Sequence, residues 1–172
     1  MAIDRRDALA RQIEQGLDRG VRLARAILAD EQEAEDALQE ACLAAWRRGD
    51  SLRDPDRFEP WFERIVVNEC RDRLRGRRRG QVRAIALEGA WRSDGEGLAP
   101  DPADRDAARD LDRAFDALDP DHRIVVLLRY WQDLTVDDIA ERVGVPAGTV
   151  KSRLHYALRA LRAGLEASDG RA

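Results

Sequence analysis

The stretch Thr135–Leu161, TVDDIAERVGVPAGTVKSRLHYALRAL, decides how this chain folds. Val136, Ile139, Ala140 and Val143 recur at helical spacing. Thr135 stands where an N-cap belongs, with Asp138 completing a weak capping box. Gly144 marks the stop, because glycine enters the left-handed cap without a Cβ clash. Val145 packs in the turn, and Pro146 suits the first position of a second helix. In that helix Val150, Leu154, Leu158, Leu161 and Leu165 form an apolar stripe, with Leu154 and Leu158 expected in the core. Lys151, Ser152, His155, Tyr156 and Arg159 fall largely on the other side. Two helices joined by a tight turn, the second presenting a polar face, have the shape of a helix-turn-helix. An ordinary helical hairpin in an all-α core has the same local signature.

Outward from this stretch, Asp119 and Pro120 read as the cap and first position of a preceding helix. Ile124, Val125, Leu127, Leu128 and Trp131 would give it a broad buried face. Before it, Ala108–Leu118 carries a stripe of Leu111, Ala114, Phe115 and Leu118. Gln81–Ala107 breaks the periodicity, with Gly89, Gly95, Gly97, Pro100 and Pro102 among acidic residues, which is linker composition. Within it Val82, Ile85, Leu87 and Trp91 could form a transient or partner-dependent helix.

Upstream of the linker a helix is expected over Phe58–Arg78, with Pro60 harmless in its first turn. Trp61, Phe62, Ile65, Val66, Cys70 and Leu74 face inward, and arginines fill the outside of its last turns. Gly49–Arg57 reads as a loop. Ala34–Arg47 reads as a helix with Ala37, Leu38, Ala41, Cys42, Ala45 and Trp46 inward, joined by a polar connection, Asp30–Glu33, to a first helix over Asp7–Leu28. Gly16 and Gly20 should weaken the first half of that helix. No strand pattern is visible. The expectation is an all-α chain: a helical domain over 7–80, a flexible linker over 81–107, and a C-terminal domain over 108–166 that holds the helix-turn-helix.

Composition narrows the function. The chain has 172 residues, enough for one domain or two small ones, and its 37% charged residues leave much solvated surface. The net charge of -4 argues against a stand-alone regulator that grips duplex DNA by itself. The charge is unevenly placed: Asp30–Glu40 is acidic, Arg71–Arg83 (RDRLRGRRRGQVR) is basic, and Asp94–Asp112 is acidic again. Such blocks suggest one nucleic-acid surface and at least one separate surface. Cys42 and Cys70 lack CxxC spacing and a nearby histidine, so they read as reduced core residues. His155 has no second ligand at metal spacing, and no cofactor is implied. A nuclease using the Asp30–Glu40 carboxylates would need a convergent histidine or a phosphate-binding loop, and neither is present. No apolar run is long enough to cross a membrane, and no signal-peptide pattern precedes the first helix, so a cytoplasmic protein is expected.

Three motifs then fall into order: EAEDALQEACLAAWRR at Glu33–Arg48, RFEPWFERIVVNECRDRLRGRRR at Arg57–Arg79, and DPDHRIVVLLRYWQDLTVDDIAERVGVPAGTVKSRLHYALRAL at Asp119–Leu161. With them the chain resembles the extracytoplasmic-function group of sigma-70 factors of bacterial RNA polymerase, which keeps only the second and fourth conserved domains. Its first helix departs from that group in lacking the aromatics often seen there.

The resemblance implies a sigma factor, not an enzyme: it binds core polymerase, recognises the minus-ten and minus-thirty-five promoter elements and promotes melting. Asp36, Gln39, Glu40 and Leu43 would face the coiled coil of the β′ subunit, an acidic patch suited to steer encounter with a basic partner. The Ser51–Phe58 loop, with Arg53 and Asp54, would capture a minus-ten base. Asn68, Arg71 and Arg75 would read the same strand, with Asp72 accepting from a base amine or orienting an arginine. Arg77, Arg78 and Arg79 would hold phosphates. Trp61 and Phe62 read better as core than as base-stacking residues. In the second helix of the helix-turn-helix, Lys151, Ser152, His155 and Tyr156 would touch minus-thirty-five base edges, and Thr149, Arg153 and Arg159 phosphates. The linker would thread polymerase channels. The implied partners are core polymerase, through the β′ coiled coil and the β flap, and promoter DNA. An anti-sigma factor is a further candidate partner.

Overall fold

Local signals place most of the helix ends. The computed structural model describes residues 2–83 and 102–169. Among them are α1 (Ala2–Leu28), α2 (Glu31–Arg47), α3 (Phe58–Arg83), α4 (Pro102–Asp116), α5 (Pro120–Tyr130), α6 (Val136–Val143) and α7 (Ala147–Asp169), and no strand. Short 3-10 turns at Gly49–Ser51 and Pro55–Arg57 shape the passage from α2 to α3. Of Val82, Ile85, Leu87 and Trp91, expected in a partner-dependent helix, Val82 falls in the last turn of α3 and the other three lie outside the described residues.

Several ends match the residues that signal them. The capping box closes in both directions: the Asp138 N–H donates to Thr135 Oγ1 at 3.2 Å, and the Thr135 N–H to Asp138 Oδ2 at 3.2 Å. Those bonds from Thr135 hold the Asp138 carboxyl below its ordinary pKa. Gly144 takes φ 71, ψ 37, the left-handed cap. Asp119 caps α5, accepting from the Asp121 N–H at 3.0 Å.

Other expectations are corrected. The helix α2 begins at Glu31, so Asp30–Glu33 is no connection: Asp30 is its N-cap and accepts from the Glu33 N–H at 2.8 Å. The reversal between α1 and α2 falls on Ala29, at φ 52. Pro146 lies just before α7, and its carbonyl accepts from the Thr149 N–H at 2.9 Å. Gly16 and Gly20 do not interrupt α1, because they serve close packing. A Cβ at Gly20 would lie 2.7 Å from Leu38 Cδ1, and one at Gly16 3.2 Å from the Phe62 ring. Trp46, Leu111, Trp131 and Leu158, expected inside, are exposed. Along α7 the buried line runs instead through Val150, Leu154 and Ala157 to Leu161. That line drifts less around the helix than one through Leu158 would.

Helices α1, α2 and α3 pack on one another, and α4, α5 and α6 each pack on α7. The two groups meet, because α3 also lies against α5 and α6. One apolar cluster therefore runs from Leu23, Ile27 and Val66 through to Ile124, Leu128, Ile139 and Val150. A smaller cluster of Leu118, Val126 and Ala157, with Phe115 and Leu161, lies at the α4–α7 side. No described helix is long and apolar enough to cross a membrane.

Candidate nucleic-acid interface

On α2 the small residues Ala34, Ala37, Ala41, Ala44 and Ala45 are buried, which lets the helix sit close to its neighbours. The opposite stripe is thereby presented outward. Asp36, Gln39, Glu40 and Leu43 are all exposed, and Trp46 extends the stripe by one turn.

The loop before α3 is pinned from beneath. Leu52 is buried, its carbonyl accepts from Arg5 at 3.0 Å, and Gln12 donates to the Pro55 carbonyl at 3.1 Å. Arg53 and Asp54 are left exposed at its tip. Asp54 Oδ1 accepts from the Asp56 N–H at 3.0 Å, so this carboxylate shapes the turn. Phe62 is buried and stacks on Phe58 at 5.4 Å between centroids, and Trp61 packs beside it. Both are core residues, as their spacing predicts.

The polar side of α3 is divided. Asn68 is half-buried and Asp72 exposed. Arg71 Nε lies 3.0 Å from Asp121 Oδ1, and Arg71 also donates to the Val143 carbonyl at 3.2 Å. Burial pushes its guanidinium pKa down. Arg75 donates to Asp121 Oδ2 at 2.8 Å. Arg78 donates to Asp119 Oδ2 at 3.1 Å and to the Ala117 carbonyl at 2.8 Å. Arg77 turns the other way, donating to Glu33 Oε1 at 2.9 Å and to the Leu28 carbonyl at 3.1 Å, which ties α3 to the α1–α2 corner. The Arg79 side chain lies outside the described ones.

On α7, Lys151, Ser152, His155, Tyr156 and Arg159 form one exposed face. Ser152 Oγ donates to the Thr149 carbonyl at 2.9 Å, and Thr149 itself is half-buried. The Tyr156 ring lies between His155, edge-on at 5.6 Å, and His122 of α5, stacked at 6.5 Å. Arg153 is directed inward and donates to Asp121 Oδ2 at 3.2 Å.

The sequence reading missed the charged residues that organise the interior. Glu63 and Arg142 are buried and paired with each other, and Glu63 also meets Arg19 at 2.8 Å. Arg123 is buried, donates to Asp116 at 2.8 Å and lies over the Phe115 ring at 5.0 Å. Asp121 collects three arginines. Glu63 left a signal, because it sits beside Phe62 and one turn before Val66 of the inner face of α3, where a carboxylate needs a buried partner. Asp121 left none, since an acidic residue in the first turn of a helix is ordinary.

Residues 13–80 match the family described as sigma-70 region 2, and residues 114–163 that described as sigma-70, region 4. The RNA polymerase sigma-E factor of Streptomyces avermitilis is 33% identical over 149 residues, which is 87% of this chain and 80% of that protein. The ECF RNA polymerase sigma factor SigL of Mycobacterium tuberculosis is 34% identical over 149 residues, covering 84% and 81%. The sigma factor RpoE of Bartonella quintana, solved in complex with the anti-sigma factor NepR, has the same fold. Its TM-score is 0.65 at 23% identity, over 91% of this chain and 96% of that one. Both family matches occur in chain order, and relatives of comparable length align across them; the chain belongs to the extracytoplasmic-function group of the sigma-70 family of RNA polymerase sigma factors.

Proposed function

We propose that this chain docks on core RNA polymerase through the α2 stripe, reads the minus-ten element with α3 and its preceding loop, and reads the minus-thirty-five element with α7. In this reading 7–80 and 108–166 are the two working domains and 81–107, whose two ends are the last turn of α3 and the first turns of α4, joins them. Asp36, Gln39, Glu40 and Leu43 contact polymerase, with Trp46 adding apolar area. Arg53, Asp54, Asn68, Arg71, Asp72 and Arg75 handle the melted strand. Unstacking a base costs a few kcal/mol and is repaid by capture contacts. Arg78 and Arg79 hold phosphates. Arg77 acts mainly by fixing α3 to the α1–α2 corner. On α7, Lys151, Ser152, His155 and Tyr156 read base edges, while Thr149, Arg153 and Arg159 set register on phosphates. The chain contributes binding and strand separation, and the polymerase contributes the chemistry.

The observation that carries this reading is the separation of surfaces: an exposed acidic-apolar stripe on α2, and exposed or arginine-rich faces on α3 and α7. Core polymerase mixed with this protein and a promoter library should initiate selectively from a subset of promoters. If no complex with core forms and no promoter is selected, the reading fails. A tight, salt-dependent complex of the chain alone with duplex DNA would favour a stand-alone regulator instead.

A further inference from the structure

Between the last turns of α3 and the corner from α4 to α5 lies a cavity of about 130 Å³. A water takes about 30 Å³ of liquid, so the cavity has room for about four waters or a phosphate group. Three guanidinium groups reach its wall: Arg77 and Arg78 from α3, and Arg123 from α5. Asp116 is the one carboxylate among the described lining residues, and Leu74, Leu118 and Pro120 supply the apolar part of the wall. All three apolar residues are buried, and low-dielectric walls strengthen an ionic contact made inside them.

Arg123 is fixed in place before any ligand arrives. Its guanidinium lies over the Phe115 ring at 5.0 Å, and Nη1 donates to Asp116 Oδ1 at 2.8 Å. Its side chain is 8% exposed, yet Nε is buried without a hydrogen-bond partner. Buried donors are nearly always paired in native structures, so an accepting group belongs there. Burial pushes the Arg123 pKa down; Asp116 opposes this, and the positive charge of Arg77 adds to it. An oxyanion beside Arg123 would offset both the burial and the repulsion. Arg77 is held by Glu33 and the Leu28 carbonyl, and Arg78, 43% exposed, by Asp119 and the Ala117 carbonyl. A guanidinium carries five N–H donors, so the bonds that Arg78 makes leave donors over.

We propose that this cavity is a binding site for a small phosphate-bearing anion, held by Arg123, Arg77 and Arg78. Phosphate suits the wall better than a carboxylate does, because guanidinium groups arriving from two helices can each meet a different oxygen. Asp116 limits the affinity, since its charge opposes the ligand while it steadies Arg123. Arg78 is then shared between the small anion and promoter phosphates, so an occupied cavity withdraws it from DNA. That last consequence rests on the reading of α3 as a promoter-contacting helix; the cavity and its ligand do not.

The test is isothermal titration of the full chain with inorganic phosphate and, separately, with adenosine monophosphate, at fixed ionic strength so that screening does not mimic binding. Saturable one-to-one binding is expected, with chloride giving none. Tighter binding of the ester supports the site and assigns it to a phosphorylated metabolite; equal or weaker binding supports it and assigns it to free phosphate. Arg123→Lys should weaken binding about tenfold, because an ammonium does not replace the planar fork. Arg78→Gln should weaken it about fivefold through the loss of a charged donor. Asp116→Asn should strengthen it, because the opposing charge on the wall is gone. Arg11→Gln, at an exposed position of α1, should leave it unchanged. If Arg123→Lys does not fold, Arg78→Gln and Asp116→Asn still decide, since their expected shifts differ in sign. Absence of saturable binding up to about 10 mM overturns the site. So do folded Arg123→Lys and Arg78→Gln chains that bind phosphate as before, or an Arg11→Gln chain that loses as much as Arg78→Gln. These titrations need neither polymerase nor DNA, whereas promoter-selective initiation decides the sigma reading, so failure of one is distinguishable from failure of the other.

Discussion

Arg142 of α6 lies buried against Glu63 of α3, and this pair joins the helix-turn-helix to the arginine-bearing helix. Arg19 of α1 meets the same carboxylate at 2.8 Å. One buried anion thus connects three helices. Taking one partner from a buried pair leaves an uncompensated charge. Glu63→Gln should therefore destabilise the fold by about 3 kcal/mol. Replacing Glu63 and Arg142 together by leucine should cost less than the single change, because no buried charge is stranded on α6. Urea unfolding of the three variants checks this; a double variant less stable than Glu63→Gln would refute it.

Two turns make opposite predictions for glycine. Gly144 at φ 71 needs the left-handed region, and a Cβ there would lie 2.7 Å from an Arg64 guanidinium nitrogen. Gly144→Ala should cost about 1–2 kcal/mol from backbone conformation alone. Ala29 at φ 52 already bears that strain. Ala29→Gly relieves about 1–2 kcal/mol of it. Against that stands about 0.4–1 kcal/mol of unfolded-chain entropy, so a net gain of about 0.5 kcal/mol is expected. Thermal unfolding midpoints should move in opposite directions.

The α2 stripe predicts selective loss of polymerase binding. Asp36→Arg together with Glu40→Arg reverses an exposed patch without touching the buried alanines. Circular dichroism should be unchanged while affinity for core polymerase falls at least about tenfold, as mismatched charge at an interface requires. Leu43→Asp should act in the same direction. Unchanged affinity in all of them would remove α2 from the docking surface.

On α7, Lys151→Ala or His155→Ala should change the ranking of minus-thirty-five sequences, each lost base contact costing about 1–3 kcal/mol. Arg159→Ala should weaken all promoters evenly and lower the salt dependence. Core polymerase binding should be retained in all three. An Arg159→Ala chain with altered sequence ranking would reverse the assignment of base and phosphate contacts.

Cys70 gives a pH dependence. Burial pushes its thiol up to about 12 from the ordinary 9.0. The folded chain therefore keeps the proton where the unfolded chain releases it. That contribution is fully present below about pH 9 and is lost as pH rises from there toward about 12. Cys70→Ala should flatten the fall in stability over that window. Cys42 is half-buried, and its thiol is raised by the same cause. At pH 8 alkylation should reach Cys42 well before Cys70.

Much of the architecture was legible because it is local. Thr135, Asp138, Gly144, Asp119 and Pro120 act on backbone groups within a few residues, so the ends of α5 and α6 could be read directly. The polar residues on the exposed faces of α2 and α7 followed from helical period, whereas Trp46 and Leu158, which share those faces, did not. Errors arose where a partner helix decides. Gly16 and Gly20 looked like weak points in α1, yet they admit the Phe62 and Leu38 side chains. Leu158 looked like core, yet the α4–α7 contact selects Ala157.

By itself, then, the sequence determined an all-α chain, the helix-turn-helix, the arginine-rich α3 and the acidic-apolar stripe of α2, because periodicity and capping are short-range. Only the tertiary structure decided that Glu63 and Arg142 share the interior and that Arg71, Arg75 and Arg153 converge on Asp121. Charge in a sequence shows which residues could pair. Which ones do pair depends on how α3 lies against α5 and α6, and on the cost of leaving a buried guanidinium or carboxylate alone.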